Sequence, residues 1–296
     1  LFGVEKGVEK ASKVLMPVLV ILSIFIAGFV VTRPGALECV AYYFKPDFSK
    51  FSINTVLGAL GQLFYSMSLA MGIMITYGSY MKKDVNLESC VKQIELFDTG
   101  IAIIAGLMIV PAVFIFSGGD ESVLKSGPSL MFIILPEVFN SMKLGAAIGG
   151  VFFLLVFFAA LTSAISLMET VVSIIQDKLH WKRHTTCIVV ALGAIAIGIP
   201  SSLGFGPWKC VQFMGMSILD MFDFLSNSVI MPIVALLTSI FIGYVIKTKT
   251  ISDEVKSSGP FKRESLFVVV IKYAAPVCIV AILISSILNA LGIIRI

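Results

Sequence analysis

Oxygen-bearing side chains set in otherwise apolar stretches are the residues of this chain whose types and spacing suggest chemistry. In the segment VLGALGQLFYSMSLAMGIMITYGSY, Tyr65, Ser66 and Ser68 lie between Gly61 and Gly72, with Gln62 one turn earlier. Serines in an apolar helix can bond back to their own backbone, and glycines can serve close packing. The alternative is a helix broken in mid-span, whose freed carbonyls and amides hold an ion and a carboxylate. In VFFAALTSAISLMET, helical spacing brings the Ala159 carbonyl to one face with the hydroxyls of Thr162 and Ser163. Neutral oxygens gathered there suit a weakly hydrated monovalent cation, or else serve as packing glue between helices. Asp98, in FDTGIAIIAG, reads either as an N-cap where a helix enters the membrane or as a hard carboxylate ligand for sodium. Glu169, two turns beyond Thr162, reads as a buried hydrogen-bonding group rather than a proton relay. Asp220 and Asp223 open another apolar block, where both suit its N-terminal cap; an outer gate is the sharper reading of Asp223.

Other chemistries lack their residues. His180 and His184 in HWKRH stand four apart, but no nearby acid or cysteine completes a metal site, and the pair reads as a solvated loop. There is no HExxH, GxSxG or phosphate-binding glycine loop, so neither an enzyme nor an ATP-driven pump is indicated. The five cysteines, Cys39, Cys90, Cys187, Cys210 and Cys278, form no CxxC pair and read as packing residues, with a Cys39 to Cys210 bridge as a minor alternative. The net charge of +4 is spread over short loops rather than gathered on one face with aromatics, which argues against nucleic acid as a partner.

The elements that position these residues follow from composition. With 58% hydrophobic and 14% charged residues, the chain is far more apolar than a soluble domain. The apolar residues gather into seven blocks, at about 14–31, 56–80, 97–117, 146–175, 185–200, 219–246 and 265–291, each near the ~20 residues that cross a bilayer. None alternates with period two, so the expectation is an all-α polytopic bundle rather than a barrel. Without a Gly-, Pro- or Ser-rich linker, residues 1–296 read as a single transmembrane domain. A further stretch, LMFIILPEVF, is too short to cross and, closed by Pro136, is expected to dip back as a re-entrant outer cap. Fourteen of the 22 Lys and Arg fall on the side shared by the N-terminus and alternate loops, which places that side in the cytoplasm and the C-terminus outside. The opening LFGVEKGVEK has no signal-peptide pattern, so the chain reads as beginning in mid-protein.

The strings KGVEKASKVLMPVL, GQLFYSMSLAMGIMITYGSY, FDTGIAIIAGLMIVPAVF, SGPSLMFIILPEVF and FFAALTSAISLMET occur in the order seen in bacterial neurotransmitter:sodium symporters, and the resemblance covers essentially the whole chain. It implies the leucine-transporter-like inverted-repeat fold, entered at the fifth helix and continued through the eleventh, with the first four helices not represented. It implies sodium-coupled amino-acid symport at the plasma membrane. By the same resemblance, Ser66 and Asp98 belong to one sodium site, and Ala159, Thr162 and Ser163 to a second, each completed by residues of the absent helices. Tyr65, Ser66, Ser68, Met71, Ser163 and Leu167 face a neutral, hydrophobic or aromatic amino acid. Asp177 belongs to an inner gate and Asp223 to an outer one. A carboxylate at Asp98 stands in for the chloride that other relatives require. A transporter-like amino-acid sensor and an ion channel are the rival readings.

Overall fold

The computed structural model describes residues 10–32, 35–46, 48–116, 130–140, 144–213 and 215–290. Among these the backbone is helical apart from turns and one isolated bridge between Phe213 and Met216. Among the described residues, six helical stretches are long and apolar enough to cross a membrane: 12–31, 87–111, 145–179, 183–203, 218–258 and 264–289. The block expected at 56–80 is two shorter helices, α3 (Ile53–Ser66) and α4 (Ile73–Ser79). The chain divides into two compact units.

The first unit comprises residues 1–50 and 96–166. Its core forms where α1 (Lys10–Val31) offers Leu19, Ile26 and Val30 at helical spacing, α5 (Leu87–Phe116) offers Met108 and Val113, and α7 (Gly145–Leu179) offers Ile148, Phe152 and Leu155. Between α5 and α7 a π-helical turn (Leu130–Ile134) leads into α6 (Leu135–Asn140), which inserts Leu135, Val138 and Phe139 into the same core. The Phe139 and Phe152 ring centroids are 5.3 Å apart. Because lipid is as apolar as these side chains, close packing rather than exclusion of water holds them together. The short apolar stretch thus stays near the bundle, but Pro136 does not close it. Pro136 is the second residue of α6, directly after the widened turn, and the helix runs on to Asn140. The rest of the expected outer cap, residues 117–129 and 141–143, lies outside the described residues. A short helix, α2 (Ala36–Phe44), follows α1.

The second unit comprises residues 51–95 and 167–296. Here α8 (Arg183–Leu203) leads to a 41-residue helical run made of α9 (Ile218–Asp223), α10 (Met231–Ile240) and α11 (Thr248–Ser258), joined by π-helical segments at Phe224–Ile230 and Phe241–Lys247. The last span is α12 (Glu264–Val269), a π-helical turn (Val270–Ala274) and α13 (Ala275–Ala290). Widened turns free carbonyls from the helical ladder. Two hydroxyls of the longer run meet them: Ser239 donates to the Ile271 carbonyl at 2.7 Å and Tyr244 to the Lys272 carbonyl at 3.0 Å.

The turn between α11 and α12 is pinned to the start of α5. Lys256 pairs with Glu264 across the turn at 2.8 Å. The Lys262 amide donates to Glu88 at 2.7 Å, Lys92 also pairs with Glu88, and Arg263 pairs with Glu95 at 3.1 Å. Asn86 caps α5, its side-chain oxygen accepting from the Ser89 amide at 2.8 Å.

Candidate functional site

The break between α3 and α4 falls among the residues singled out in the sequence. Helix α3 starts on a capping box formed by Ser52 and Thr55 and ends at Ser66. Its last turn is closed irregularly: Met67 N–H donates to the Leu63 carbonyl at 3.1 Å, Ser68 to Tyr65 at 3.1 Å and Leu69 to Phe64 at 2.9 Å. Left-handed backbone follows at Ser68 (φ +53°), Ala70 (φ +60°) and Gly72 (φ +79°). Two of these residues carry a Cβ, which makes the stretch a store of backbone strain of the kind that gathers at functional sites. Gly72 is required twice over, since a Cβ there would also sit 3.0 Å from the Thr170 methyl of α7. Tyr65 and Ser66 are exposed, and Ser68 and Met71 are half-buried.

Along α7 the backbone stays helical throughout. Thr162 is buried, and its hydroxyl lies 2.9 Å from the Ala159 carbonyl and 3.1 Å from that of Phe158. The bond is the local one that a threonine in a helix ordinarily makes. The hydroxyl proton is directed to the helix backbone, so the lone pairs of Thr162 Oγ1 remain available to a cation, whereas the Ala159 carbonyl accepts both the helical N–H and this hydroxyl. Ser163, one residue on, is exposed, as is Leu167 one turn beyond it. The structure brings Ala159 and Thr162 into contact and sets Ser163 beside them on the same helix.

Asp98 is half-buried and stands eleven residues past the first residue of α5, so it is not an N-cap. That alternative is corrected: the charged turns ESCVKQIEL are helical and extend α5 beyond the apolar block, with Asn86 as the cap. Neither Asp220 nor Asp223 caps α9. Ser217 does so, accepting from the Asp220 amide at 3.2 Å and donating to its carboxylate at 2.7 Å. Asp223 ends α9, is exposed, and accepts a hydrogen bond from Asn227 at 2.6 Å. Asp177 is exposed near the end of α7. His180 and His184 are both exposed, although His184 lies in the first turn of α8 rather than in a loop. Among the described residues no cluster of His, Cys, Asp and Glu is arranged to hold a metal ion through those side chains. Cys210 is a free, exposed thiol and makes no bridge.

Glu169 is 5% exposed and receives three hydrogen bonds from two groups. The Tyr80 hydroxyl donates to Oε1 at 2.9 Å, and the Arg183 guanidinium reaches both carboxylate oxygens, Nη1 to Oε1 at 3.1 Å and Nη2 to Oε2. Gln176 accepts a longer bond from the same guanidinium. The buried hydrogen-bonding role fits, but sequence reasoning missed both partners. Arg183 counted only toward topology, although the turn 180–182 folds α8 back so that its first residue lies against α7. The signal was there: an intramembrane carboxylate needs a cation, and Arg183 lies fourteen residues away across a tight turn.

Crossing helices together with one broken in mid-span define a multi-pass α-helical membrane protein. The sequence model described as the sodium:neurotransmitter symporter family matches residues 1–293, and the chain belongs to that family. It is 36% identical over 292 residues to an uncharacterized sodium-dependent transporter of Haemophilus influenzae, covering 96% of this chain and 61% of that protein. A sodium-dependent transporter of Bacillus subtilis, also uncharacterized, is 32% identical over 293 residues, covering 98% of this chain and 63% of that one. Among solved structures, the crystal structure of MhsT in complex with L-phenylalanine superposes with a TM-score of 0.82 at 38% identity, over 96% of this chain and 64% of that one. The chain therefore spans a little over three fifths of the length of these relatives.

Proposed function

We propose that the protein couples sodium entry to uptake of a neutral, hydrophobic or aromatic amino acid by alternating access. The observation that carries the reading is the helix break at residues 67–72, where left-handed backbone replaces a turn of helix inside an apolar span. Such a break presents backbone carbonyls and amides to a ligand where a continuous helix would present only side chains. In this reading Tyr65, Ser66, Ser68 and Met71 address the substrate, with Ser163 and Leu167. Ser66 and Asp98 serve one sodium ion, and Ala159, Thr162 and Ser163 a second, because hard oxygens suit that ion. The similarity to a protein solved with L-phenylalanine supports an aromatic side chain on the substrate. Asp98 supplies fixed negative charge, so chloride is not required. Asp177 and Asp223 act at the inner and outer gates.

The test is uptake of labelled amino acids into proteoliposomes containing the full-length protein, with and without an inward sodium gradient. Accumulation that requires sodium, is independent of chloride, and is lost in Thr162→Ala and Asp98→Ala is the expected result. Binding without accumulation would replace transport by sensing, and sodium current without saturable uptake would indicate a channel.

A further inference from the structure

A crevice of about 340 Å³ lies in the second unit, where the α11–α12 turn is pinned to the start of α5. Its walls are Val91 of α5, Val255 of α11, Phe261 of the turn, and Leu266, Phe267 and Val270 of the last span. Its charges, Glu88, Lys92, Glu95 and Arg263, are joined in the two pairs described above. The crevice therefore has an apolar interior and charges of both signs that sum to zero. Its walls continue onto bare apolar surface: Val91 is 50% exposed, Leu266 60% and Val270 39%. Leu266 and Val270 belong to the first turns of a membrane-crossing helix, whereas Glu88 and Lys92 precede the apolar block of α5, so the crevice spans the boundary between lipid tails and headgroups.

From this arrangement we propose that the crevice is a binding site for one phosphatidylethanolamine molecule of the leaflet on the basic-loop side, with an acyl chain in the cavity and its headgroup at the charged edge. The volume falls at the lower end of small-ligand sites and accommodates part of one chain. The charge pattern selects the headgroup. The Arg263–Glu95 pair is half-exposed, so opening it costs little, and its members then meet a phosphate and a primary ammonium, which donates hydrogen bonds to the carboxylate. A purely anionic lipid would leave the carboxylates opposed to it, and a quaternary ammonium cannot donate to Glu95. The bound lipid bridges α5, α11 and α12, and so stabilises the docking of that turn.

The full-length protein, purified in mild detergent and stripped of lipid, is offered phosphatidylethanolamine or phosphatidylcholine vesicles, and retained lipid is read by native mass spectrometry alongside thermal stability. One phosphatidylethanolamine is expected per wild-type protein, with a rise in melting temperature. Val91→Trp and Val255→Trp, filling the cavity from opposite walls, lower retention about tenfold, as expected when a few methylenes can no longer insert. Leu192→Trp on the exposed face of α8 leaves retention unchanged, and Glu95→Gln removes the preference over phosphatidylcholine. Equal retention by wild type and both cavity-filling variants overturns the proposal. So does failure of the wild type to hold any phospholipid, which would mean that another segment of the protein covers the crevice.

Discussion

The α3–α4 break and the continuous helix α7 solve one problem in opposite ways. Both offer oxygen ligands inside an apolar span. At the break the backbone itself leaves its helical ladder, at the cost of left-handed φ angles at Ser68 and Ala70. Along α7 the ladder stays intact over 35 residues, and the candidate ligands are hydroxyls with a carbonyl one turn back. The comparison teaches that a broken helix must be anchored from outside, because it has given up its own hydrogen bonds there, whereas a continuous one can serve as the anchor. The contacts bear this out: Gly72 packs on Thr170 of α7, and Tyr80, just past the end of α4, donates to Glu169 of α7.

The largest expected effect comes from undermining the anchor. Glu169→Ala leaves the Arg183 guanidinium in a largely buried place without its carboxylate, and should destabilise the protein by about 3 kcal/mol. Thermal unfolding in detergent should shift down by on the order of 5 °C. The double variant Glu169→Ala, Arg183→Ala recovers part of the loss if the pair acts as a unit; additive losses would show that it does not. Next is Gly72→Ala, which places a Cβ in left-handed backbone against Thr170 and should cost about 1–2 kcal/mol. Adding Thr170→Ser removes the opposing methyl and should restore only the steric share. The smallest change in stability is expected for Ser68→Gly, where relief of the left-handed backbone offsets the greater freedom of the unfolded chain, leaving less than about 1 kcal/mol. Amino-acid affinity should nevertheless fall, because the hydroxyl is gone; an unchanged binding isotherm would remove Ser68 from the site.

The break was legible in the sequence because Tyr65, Ser66 and Ser68 interrupt an apolar run that Gly72 then permits to turn. The start of α5 was not. Hydropathy marks the thickness of the lipid, whereas the helix continues for as long as its residues favour it. Thirty residues of α5 measure roughly 45 Å against a hydrocarbon core of ~30 Å. This is why Asp98 looked like a helix start and proved to lie well inside one. The Glu169–Arg183 pair was hidden for a different reason: the need for a partner is written locally, but its identity depends on how sharply residues 180–182 turn. At Thr162 the spacing was readable, but the hydroxyl bonds back to carbonyls of its own helix rather than to a neighbouring one.

The π-helical segments of the second unit bear on how this family tolerates changes in length. A widened turn holds one more residue than an α-helical turn, so deleting a single residue from 241–247 or 270–274 would remove the wide turn while leaving the residues beyond it on the same face. Because Ser239 and Tyr244 seat their hydroxyls on the carbonyls of the second widened turn, a deletion in one helix leaves the other without its counterpart. Single-residue gaps between relatives in these two helices are therefore expected to occur together, as one inherited event rather than two.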